Sequence, residues 1–287
     1  MKLLVFGKTG QVATELARLE GDAFTQAVFL PRDQADLSDP KACAAIITET
    51  QADAVINAAA WTAVDNAEEH EAEAMVINAD APGAMARACA DRGLPFLHVS
   101  TDYVFDGAGE TPRKETDPVA PQNAYGRGKL AGENAVRAAS GPHAILRTSW
   151  VFSSHGANFV KTMLRLSETC DALSIVSDQH GGPTPAADIA AALVKMAHAM
   201  VQGQPGGTYH FAGQPDTTWA GFAREIFDQA GRDVTVTGIP TRDFPTPATR
   251  PLNSRLDCSA LAADFAISRP DWRQGLHHVL DEMRGKN

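Results

Sequence analysis

A tyrosine and a lysine lie four positions apart in the run Tyr125-Gly126-Arg127-Gly128-Lys129. In a helix the two side chains share a face. A free tyrosine, with a pKa of about 10, exchanges protons poorly at neutral pH, but a neighbouring ammonium favours the phenolate and lowers that pKa. Such a tyrosine can protonate the oxygen that forms when a hydride reaches a ketone. The run therefore indicates ketone reduction, although the same spacing also fits a packed tyrosine beside a solvated lysine.

Two other polar segments follow predicted strands. Residues 100–102 (Ser-Thr-Asp) end the apolar run 94–100, and residues 57–62 (Asn-Ala-Ala-Ala-Trp-Thr) end the run 53–57. The carboxyl ends of parallel strands meet at one edge of a sheet, where open α/β sheets bind ligands. There the Thr101 hydroxyl can orient a reacting carbonyl, and the small residues let a cofactor lie against the backbone.

A glycine turn follows the first predicted strand. Residues 7–13 (Gly-Lys-Thr-Gly-Gln-Val-Ala) have the pattern G-x-x-G-x-x-A. Glycines allow a tight turn and close approach of the backbone to a pyrophosphate, and the helix that follows presents free N–H groups. Because the turn comes directly after a buried strand, we expect dinucleotide binding. A tight strand–helix turn without a ligand is the alternative.

The second predicted strand, 27–30, is followed by Pro31-Arg32-Asp33. An acidic residue at the end of this strand usually binds the ribose of NAD. Arg32 can instead accept the 2′-phosphate of NADP, or it is a solvated loop arginine. Leu37 can contact the adenine. Asp36 either contacts the cofactor or caps the helix that begins at Pro40.

Short apolar runs at 2–6, 27–30, 53–57, 94–100 and 143–147 alternate with helical patterns at 10–19, 40–50, 63–92 (interrupted at Pro82) and 123–139. Buried strands separated by helices predict an α/β protein with a Rossmann-like, doubly wound parallel sheet. After residue 150 the helical patterns 157–168, 186–200 and 219–230 are separated by short strands. We predict a dinucleotide-binding domain at 1–150 and a smaller C-terminal α/β substrate lobe at 151–287, some segments of which return to the first domain.

The composition is that of a globular protein with excess negative charge. Of 287 residues, 25 are basic and 35 acidic, for a formal net charge of −10. This balance disfavours nucleic-acid and anionic-membrane partners. The N-terminal apolar run is too short for a signal peptide, and no run reaches the roughly 20 residues of a membrane span. The cysteines at 43, 89, 170 and 258 show no metal or redox spacing, so we expect reduced thiols in a cytoplasmic protein.

With these motifs together, the sequence resembles the extended short-chain dehydrogenase/reductases and, more closely, the dTDP-4-dehydrorhamnose reductase family. The resemblance spans nearly the whole chain. It is carried, in order, by LLVFGKTGQVATEL, VINAAAWTAVDNAE, VSTDYVFDG, ETDPVAPQNAYGRGKLAGE, LRTSWVFSSHGANFVKTML, DQHGGPTPAADIA and RPLNSRLD.

The resemblance implies reduction of the C4 ketone of a nucleotide-linked 4-keto-6-deoxysugar, expected to be dTDP-4-dehydro-L-rhamnose. The expected cofactor is NADPH, with NADH as the alternative. The implied catalytic residues are Thr101, Tyr125 and Lys129. Arg32, Tyr125 and Lys129 are already candidate cofactor contacts. The resemblance adds Gly7, Gly10, Gln11, Val12, Asp36, Leu37, Ala60, Trp61, Thr62 and Val99. The implied substrate contacts are Thr101, Asp102, Trp150, Arg250 and Asn253, although Trp150 also fits a core residue between domains.

The chain departs from this family at two places. Trp61 stands where relatives often have tyrosine or histidine. Some relatives dimerise through a magnesium ion bridged by glutamates. Glu15 matches one of these positions, but Ala187 occupies another, so the sequence does not support the metal-bridged dimer. We expect no metal ligands, and a homodimer stays open.

Other functions remain compatible with these motifs. They include another nucleotide-sugar 4-ketoreductase, an epimerase that retains NAD, and a non-catalytic regulator resembling the regulatory subunit of methionine adenosyltransferase. A 4,6-dehydratase of this superfamily commonly has Asp-Glu after the threonine. Here Tyr103 follows Asp102, which argues against dehydration.

Overall fold

The computed structural model describes residues 1–285, so the last two positions of the predicted lobe 151–287 lie outside the described residues. Its strands are β1 (Lys2–Phe6), β2 (Gln26–Leu30), β3 (Ala54–Asn57), β4 (Phe96–Thr101), β5 (His143–Thr148), β6 (Val151–Phe152), β7 (Ala172–Val176), β8 (His180–Gly181), β9 (Thr184–Pro185), β10 (Gly207–His210), β11 (Thr217–Thr218), β12 (Thr235–Ile239) and β13 (Asn253–Ser254).

The α-helices are α1 (Gln11–Arg18), α2 (Pro40–Glu49), α3 (Asn66–Glu69), α4 (Glu71–Met75), α5 (Ala81–Asp91), α6 (Ala124–Ala138), α7 (Phe159–Leu166), α8 (Ala186–Val201), α9 (Trp219–Ala230), α10 (Ser259–Phe265) and α11 (Trp272–Arg284). A π-helical turn spans Val76–Asp80, and 3₁₀ turns span Asp102–Val104 and Thr241–Asp243.

Six parallel strands form the main sheet in the order β10-β5-β4-β3-β1-β2. Strand β3 is buried at every position because helices cover both faces of the sheet. The strand order reverses between β1 and β3, which opens a crevice at their carboxyl ends. The predicted α/β class with a Rossmann-like sheet is confirmed.

Two helical layers cover the sheet. On one face α1 packs against α8 through side chains that include Leu16 and Leu193. On the other face α2, α5 and α6 bury Ile47, Met85 and Val136. Successive residues of β1 alternate between these two cores, as the period of a strand requires.

The second lobe has a core of its own. Helices α7, α9 and α11 pack with the parallel pair β7 and β12 and bury Phe222 and Trp272 in edge-to-face contact. Later segments also return to the main sheet, where β10 pairs with β5 and α10 adds Leu261 to the core under α8. These contacts support the expected return of the chain. The division at residue 150 stays a prediction.

Two further observations concern the cysteines and the length of the apolar helices. All four cysteines are free thiols, and three of them are buried. Within residues 1–285, no helix is both long enough and apolar enough to cross a membrane.

A buried carboxylate joins α6 to the sheet. Glu133 of α6 accepts hydrogen bonds from Arg147 of β5, from Nε to Oε1 at 2.8 Å and from Nη2 to Oε2 at 2.7 Å. Ser100 Oγ of β4 donates to Oε1 at 2.7 Å, and Arg137 donates to Oε2 at 2.6 Å. Burial disfavours the carboxylate, but its partners, Arg147 first, outweigh burial and lower the Glu133 pKa. The network therefore holds α6 in one position on the sheet.

Arg147→Met is expected to lower the free energy of unfolding by about 3–5 kcal/mol, because it leaves the Glu133 carboxylate buried without its main partner. Urea unfolding followed by circular dichroism measures the loss. In the control Arg137→Met the removed side chain is 35% exposed, so the loss should be about 1 kcal/mol or less. Equal losses in the two variants would contradict the assignment of Arg147 as the main partner.

Candidate active site

A cleft of about 820 Å³ lies at the carboxyl ends of β1, β3 and β4. This volume is in the range of sites that take small molecules and cofactors. Its lining brings together the polar segments predicted from sequence: residues 7–12, 58–60 and 99–103, with Tyr125 and Lys129 of α6. The strand ends and the start of α6 thus converge on one site.

The loop between β1 and α1 fits an anion. Gly7 has a φ of +109°, a conformation that side chains rarely adopt. Gly10 precedes α1 in an extended conformation, and no side chain caps this helix. Both glycines, with Gln11 and Val12, line the cleft. Uncapped N–H groups and the helix dipole favour phosphate oxygens, so this loop fits the pyrophosphate of a dinucleotide.

Gln11 also joins the loop to the second lobe. Its Oε1 accepts hydrogen bonds from Ser153 Oγ at 2.8 Å and from Asn158 Nδ2 at 3.0 Å. Asn158 in turn caps α7, since its Oδ1 accepts the N–H of Lys161 at 3.2 Å. The phosphate loop and the first helix of the second lobe are therefore held together by one glutamine side chain.

Arg32, Asp36 and Leu37 follow β2 and line the same cleft. The Arg32 guanidinium is 80% exposed and bonds Asp36 Oδ2 through Nε at 3.2 Å. The hydrogen bond from the Ser38 N–H is the largest of the contributions that lower the Asp36 pKa, so this side chain stays a carboxylate. In such a pair the arginine can bind the 2′-phosphate of NADP, and the carboxylate can bind a ribose hydroxyl.

Tyr125 meets Thr101 in the cleft. Asn123 caps α6 and places Tyr125 in its first turn. The Tyr125 hydroxyl lies near the Thr101 side chain, and its ring packs edge-to-face on Tyr103, with ring centroids 5.5 Å apart. Burial raises the Tyr125 pKa above its ordinary value. At neutral pH the phenol is protonated, as a free tyrosine is, and it carries the proton that a reduced ketone would need.

Lys129 lines the cleft, but its amine is bound to β4. Nζ donates to the Val99 carbonyl at 2.7 Å and lies 3.1 Å from His98 Nε2. Burial lowers the Lys129 pKa to about 8. In this structure burial dominates the Tyr125 pKa, and β4 engages the lysine amine. That Lys129 lowers the pKa of Tyr125 stays a prediction.

Asp102 is buried beside Thr101. Its Oδ1 accepts the Thr101 hydroxyl at 3.0 Å. Burial raises the Asp102 pKa to about 6, although interaction with the Ser254 and Thr101 hydroxyls opposes the rise. The second carboxyl oxygen, Oδ2, is buried, so Asp102 meets the cleft mainly through its contact with Thr101.

Two stacked tryptophans line the cleft from different parts of the chain. Trp150, with a φ of +49°, stacks on Trp219 with ring centroids 3.8 Å apart and planes 15° apart. Trp219 Nε1 donates to Gln179 Oε1 at 3.1 Å. Sequence reasoning missed Trp219, because a tryptophan that opens an amphipathic helix resembles a core residue and its local pattern carries no ligand signal.

Three predicted contact residues lie outside the lining of the cleft. The Trp61 indole N–H donates to a nearby backbone carbonyl at 3.2 Å. Arg250 pairs with Asp65 at 2.6 Å, and Asn253 Nδ2 donates to the Thr111 carbonyl at 2.8 Å. These polar groups have partners within the protein. Trp61 and Arg250 nevertheless lie next to the site, since Trp61 packs in one apolar cluster with Tyr125 and Arg250 Nη1 is 3.5 Å from the Tyr103 hydroxyl.

Glu15, His155 and Glu282 are close enough to share an ion. However, Arg18 pairs with Glu282 at 2.5 Å and with Glu15 at 3.3 Å, and His155 Nε2 lies 3.0 Å from Glu15 Oε1. The Arg18 guanidinium occupies oxygens of both carboxylates and offsets one of their two negative charges. Magnesium also prefers an octahedral shell of oxygens. This cluster therefore fits magnesium poorly.

Fold and site together define a class of protein. A doubly wound parallel sheet carries a phosphate loop after its first strand, and threonine, tyrosine and lysine side chains line the same cleft. This is the arrangement of the extended short-chain dehydrogenase/reductases, which use dinucleotide cofactors.

Comparison with known proteins narrows the class. The family described as RmlD substrate binding domain matches residues 1–285. The chain is 45% identical to a dTDP-4-dehydrorhamnose reductase of Burkholderia thailandensis, covering 95% of this chain and 96% of that protein. It is 42% identical to the one from Sinorhizobium fredii, covering 98% and 97%. A Bacillus anthracis dTDP-4-dehydrorhamnose reductase, solved with NADP, has a TM-score of 0.92 at 32% identity, covering 98% and 99%. The chain belongs to the dTDP-4-dehydrorhamnose reductase family.

The buried Asp102 should leave a signature in the pH dependence of stability. Its pKa is raised from 3.8 to about 6, so between these values the folded protein binds more protons than the unfolded chain. This group's contribution to the free energy of unfolding therefore falls as the pH rises from 3.8 to 6. Asp102→Asn keeps an acceptor for Thr101 and should be more stable than the wild type above pH 6, by on the order of 2–3 kcal/mol. Urea unfolding from pH 4 to pH 8 measures the difference, and parallel profiles would refute it.

Proposed function

We propose that this protein reduces the C4 ketone of dTDP-4-dehydro-L-rhamnose to dTDP-L-rhamnose with NADPH. The observation that carries the proposal is the meeting of Thr101, Tyr125 and Lys129 in the cleft that the phosphate loop also lines. The names of the relatives agree with it, and the Bacillus anthracis relative was solved with NADP.

Tyr125 is the acid in this proposal. The phenol is protonated at neutral pH, so its O–H can donate to the ketone oxygen as negative charge develops there. Thr101, whose side chain lies beside that of Tyr125, orients the same oxygen. A bound nicotinamide supplies the hydride in such reductions. Lys129 holds a ribose hydroxyl through its amine.

The rest of the cleft divides between cofactor and substrate. The phosphate loop would hold the pyrophosphate, Arg32 the 2′-phosphate and Leu37 the adenine. Asp102, which lines the cleft, would contact the sugar, and the stacked Trp150 and Trp219 would pack on the substrate. The remaining cofactor contacts are Asp36, Ala60, Thr62 and Val99. We assign Trp61, Arg250 and Asn253 to holding their own loops.

We also propose that the enzyme works in the cytoplasm, where its four free thiols remain reduced. A homodimer is a separate proposal. Light scattering on the purified protein tests the oligomeric state.

The deciding experiment measures NADPH oxidation with dTDP-4-dehydro-L-rhamnose. The substrate is made in situ from dTDP-glucose by the preceding dehydratase and epimerase. Oxidation that requires all three enzymes and yields dTDP-rhamnose supports the proposal. Tightly bound NAD with interconversion of sugar epimers would instead indicate an epimerase. A stable complex with methionine adenosyltransferase, without ketone reduction, would indicate a regulator.

Tyr125→Phe is expected to lower kcat by at least about 100-fold, because the proton donor is lost. The Kd for NADPH should stay within about twofold of the wild type, measured by fluorescence titration. Tyr103→Phe is the matched control, since it removes the hydroxyl of the neighbouring ring and should change kcat by only a few fold. Loss of NADPH binding in Tyr125→Phe would mean that the residue is structural.

Arg32→Ala is expected to raise the KM for NADPH by about tenfold or more, the effect of losing one hydrogen bond to a charged group. The KM for NADH should change little, because NADH lacks the 2′-phosphate. Steady-state kinetics with both cofactors measures the ratio. Equal changes in the two KM values would show that Arg32 does not recognise the 2′-phosphate.

A further inference from the structure

A buried threonine at the end of β5 has a hydroxyl group without a partner. Thr148 is 4% exposed, and within residues 1–285 its Oγ1 forms no hydrogen bond. Buried hydroxyl groups are nearly always hydrogen-bonded, because leaving such a donor unsatisfied costs free energy. Thr148 is therefore either a small defect of the fold or a contact for a molecule that binds there.

The polar side chains next to Thr148 do have partners. Ser149, the following residue, donates from Oγ to the Gly182 carbonyl at 3.1 Å. On the neighbouring strand β4, the Thr101 hydroxyl donates to Asp102 Oδ1 at 3.0 Å. Because these neighbours are satisfied, loose packing at this edge of the sheet does not explain the Thr148 hydroxyl.

Thr148 and Thr101 lie side by side on the sheet. They are register partners on the parallel strands β5 and β4, so their side chains leave the same face. Leu146, two residues before Thr148, packs in the core that α1 covers, and side chains two residues apart in a strand share a face. Both threonines line the cleft. The hydroxyl without a partner therefore borders the cleft on the α1 side, one strand away from the hydroxyl that is proposed to orient the ketone.

This place fits the nicotinamide end of the cofactor. The phosphate loop leads into α1, so a cofactor that begins there and reaches the ketone runs along the same face of the sheet. Hydride transfer needs the nicotinamide C4 in contact with the ketone carbon, and the carboxamide is attached to the ring carbon next to C4. Neighbouring strands are about 5 Å apart, so a hydroxyl one strand away from Thr101 is within reach of the carboxamide.

We propose that the Thr148 hydroxyl binds the carboxamide of the nicotinamide and thereby fixes the ring against the ketone. A hydroxyl can donate to the carboxamide oxygen or accept from its NH₂ group. The inference rests on the proposed function, because that proposal places a nicotinamide cofactor in the cleft. The buried hydroxyl gains in the complex the partner that the protein itself does not supply.

Thr148→Val tests the contact, because it removes the hydroxyl and keeps the size of the side chain. The Kd for NADPH, measured by isothermal titration calorimetry, should rise about three- to tenfold, the effect of losing one hydrogen bond. The Kd for ADP-ribose 2′-phosphate, which has the pyrophosphate and the 2′-phosphate but no nicotinamide, should change little. Thr148→Ser keeps the hydroxyl and should bind NADPH nearly as the wild type does.

The stability of the same variant separates a binding residue from a structural one. Without cofactor, Thr148→Val should resist urea at least as well as the wild type, because the substitution removes a buried group that has no partner. Thr184→Val is the matched control. Thr184 is fully buried, and its Oγ1 donates to the Gly182 carbonyl at 3.0 Å and accepts the N–H of Gly213 at 3.2 Å. This control should lose stability and leave the Kd for NADPH nearly unchanged.

An unchanged Kd for NADPH in Thr148→Val would overturn the proposal. Equal losses for NADPH and ADP-ribose 2′-phosphate, or a loss of stability as large as that of Thr184→Val, would do the same, since either result means a structural role. A change confined to the KM for the sugar nucleotide would assign the hydroxyl to the substrate and also contradict the proposal. The calorimetry uses no sugar nucleotide, so NADPH binding without ketone reduction would count against the proposed function alone.

Discussion

The close approach of α6 to its neighbours is the constraint on which the site depends. A Cβ at Gly126 would lie 2.3 Å from the Tyr103 carbonyl oxygen, and one at Gly132 would lie 2.0 Å from the Asn78 carbonyl oxygen. Glycine alone allows the helix to come this near. The buried Glu133 network then fixes the rotation of the helix on the sheet, so Tyr125 and Lys129 reach the strand ends instead of solvent.

Most of the sheet could be predicted because its strands are short apolar runs. The predicted strand 53–57 is observed as Ala54–Asn57, and the predicted helix 123–139 as Ala124–Ala138. The long pattern at 63–92 was less informative. It contains two short helices and the π-helical turn Val76–Asp80, and Pro82 lies in the first turn of α5, where a proline fits. Helical periodicity does not distinguish one continuous helix from several short ones, because the apolar spacing survives each break.

The site residues that could be predicted are those at the end of a predicted strand or the start of a predicted helix. Thr101 ends a strand and Tyr125 begins a helix, and both elements lead to the edge of the sheet. The partner of Lys129 was not predictable in this way. His98 is distant in the chain and resembles an ordinary core histidine, and only the packing of α6 on β4 brings the two side chains together. The stacked tryptophans illustrate the same limit, because they meet only when the second lobe folds against the first.

The return of β10 to the main sheet has a consequence for how the protein folds during synthesis. Strand β5 has an unpaired edge until residues 207–210 have left the ribosome. The apolar face of α1 likewise stays uncovered until α8 has been synthesised. Unpaired edges and exposed apolar faces make nascent chains prone to aggregation. The cofactor half, although it comes first in the chain, is completed only after much of the second lobe has been made. The early and late segments of the chain therefore complete their folding together. Long-range strand pairing of this kind slows folding.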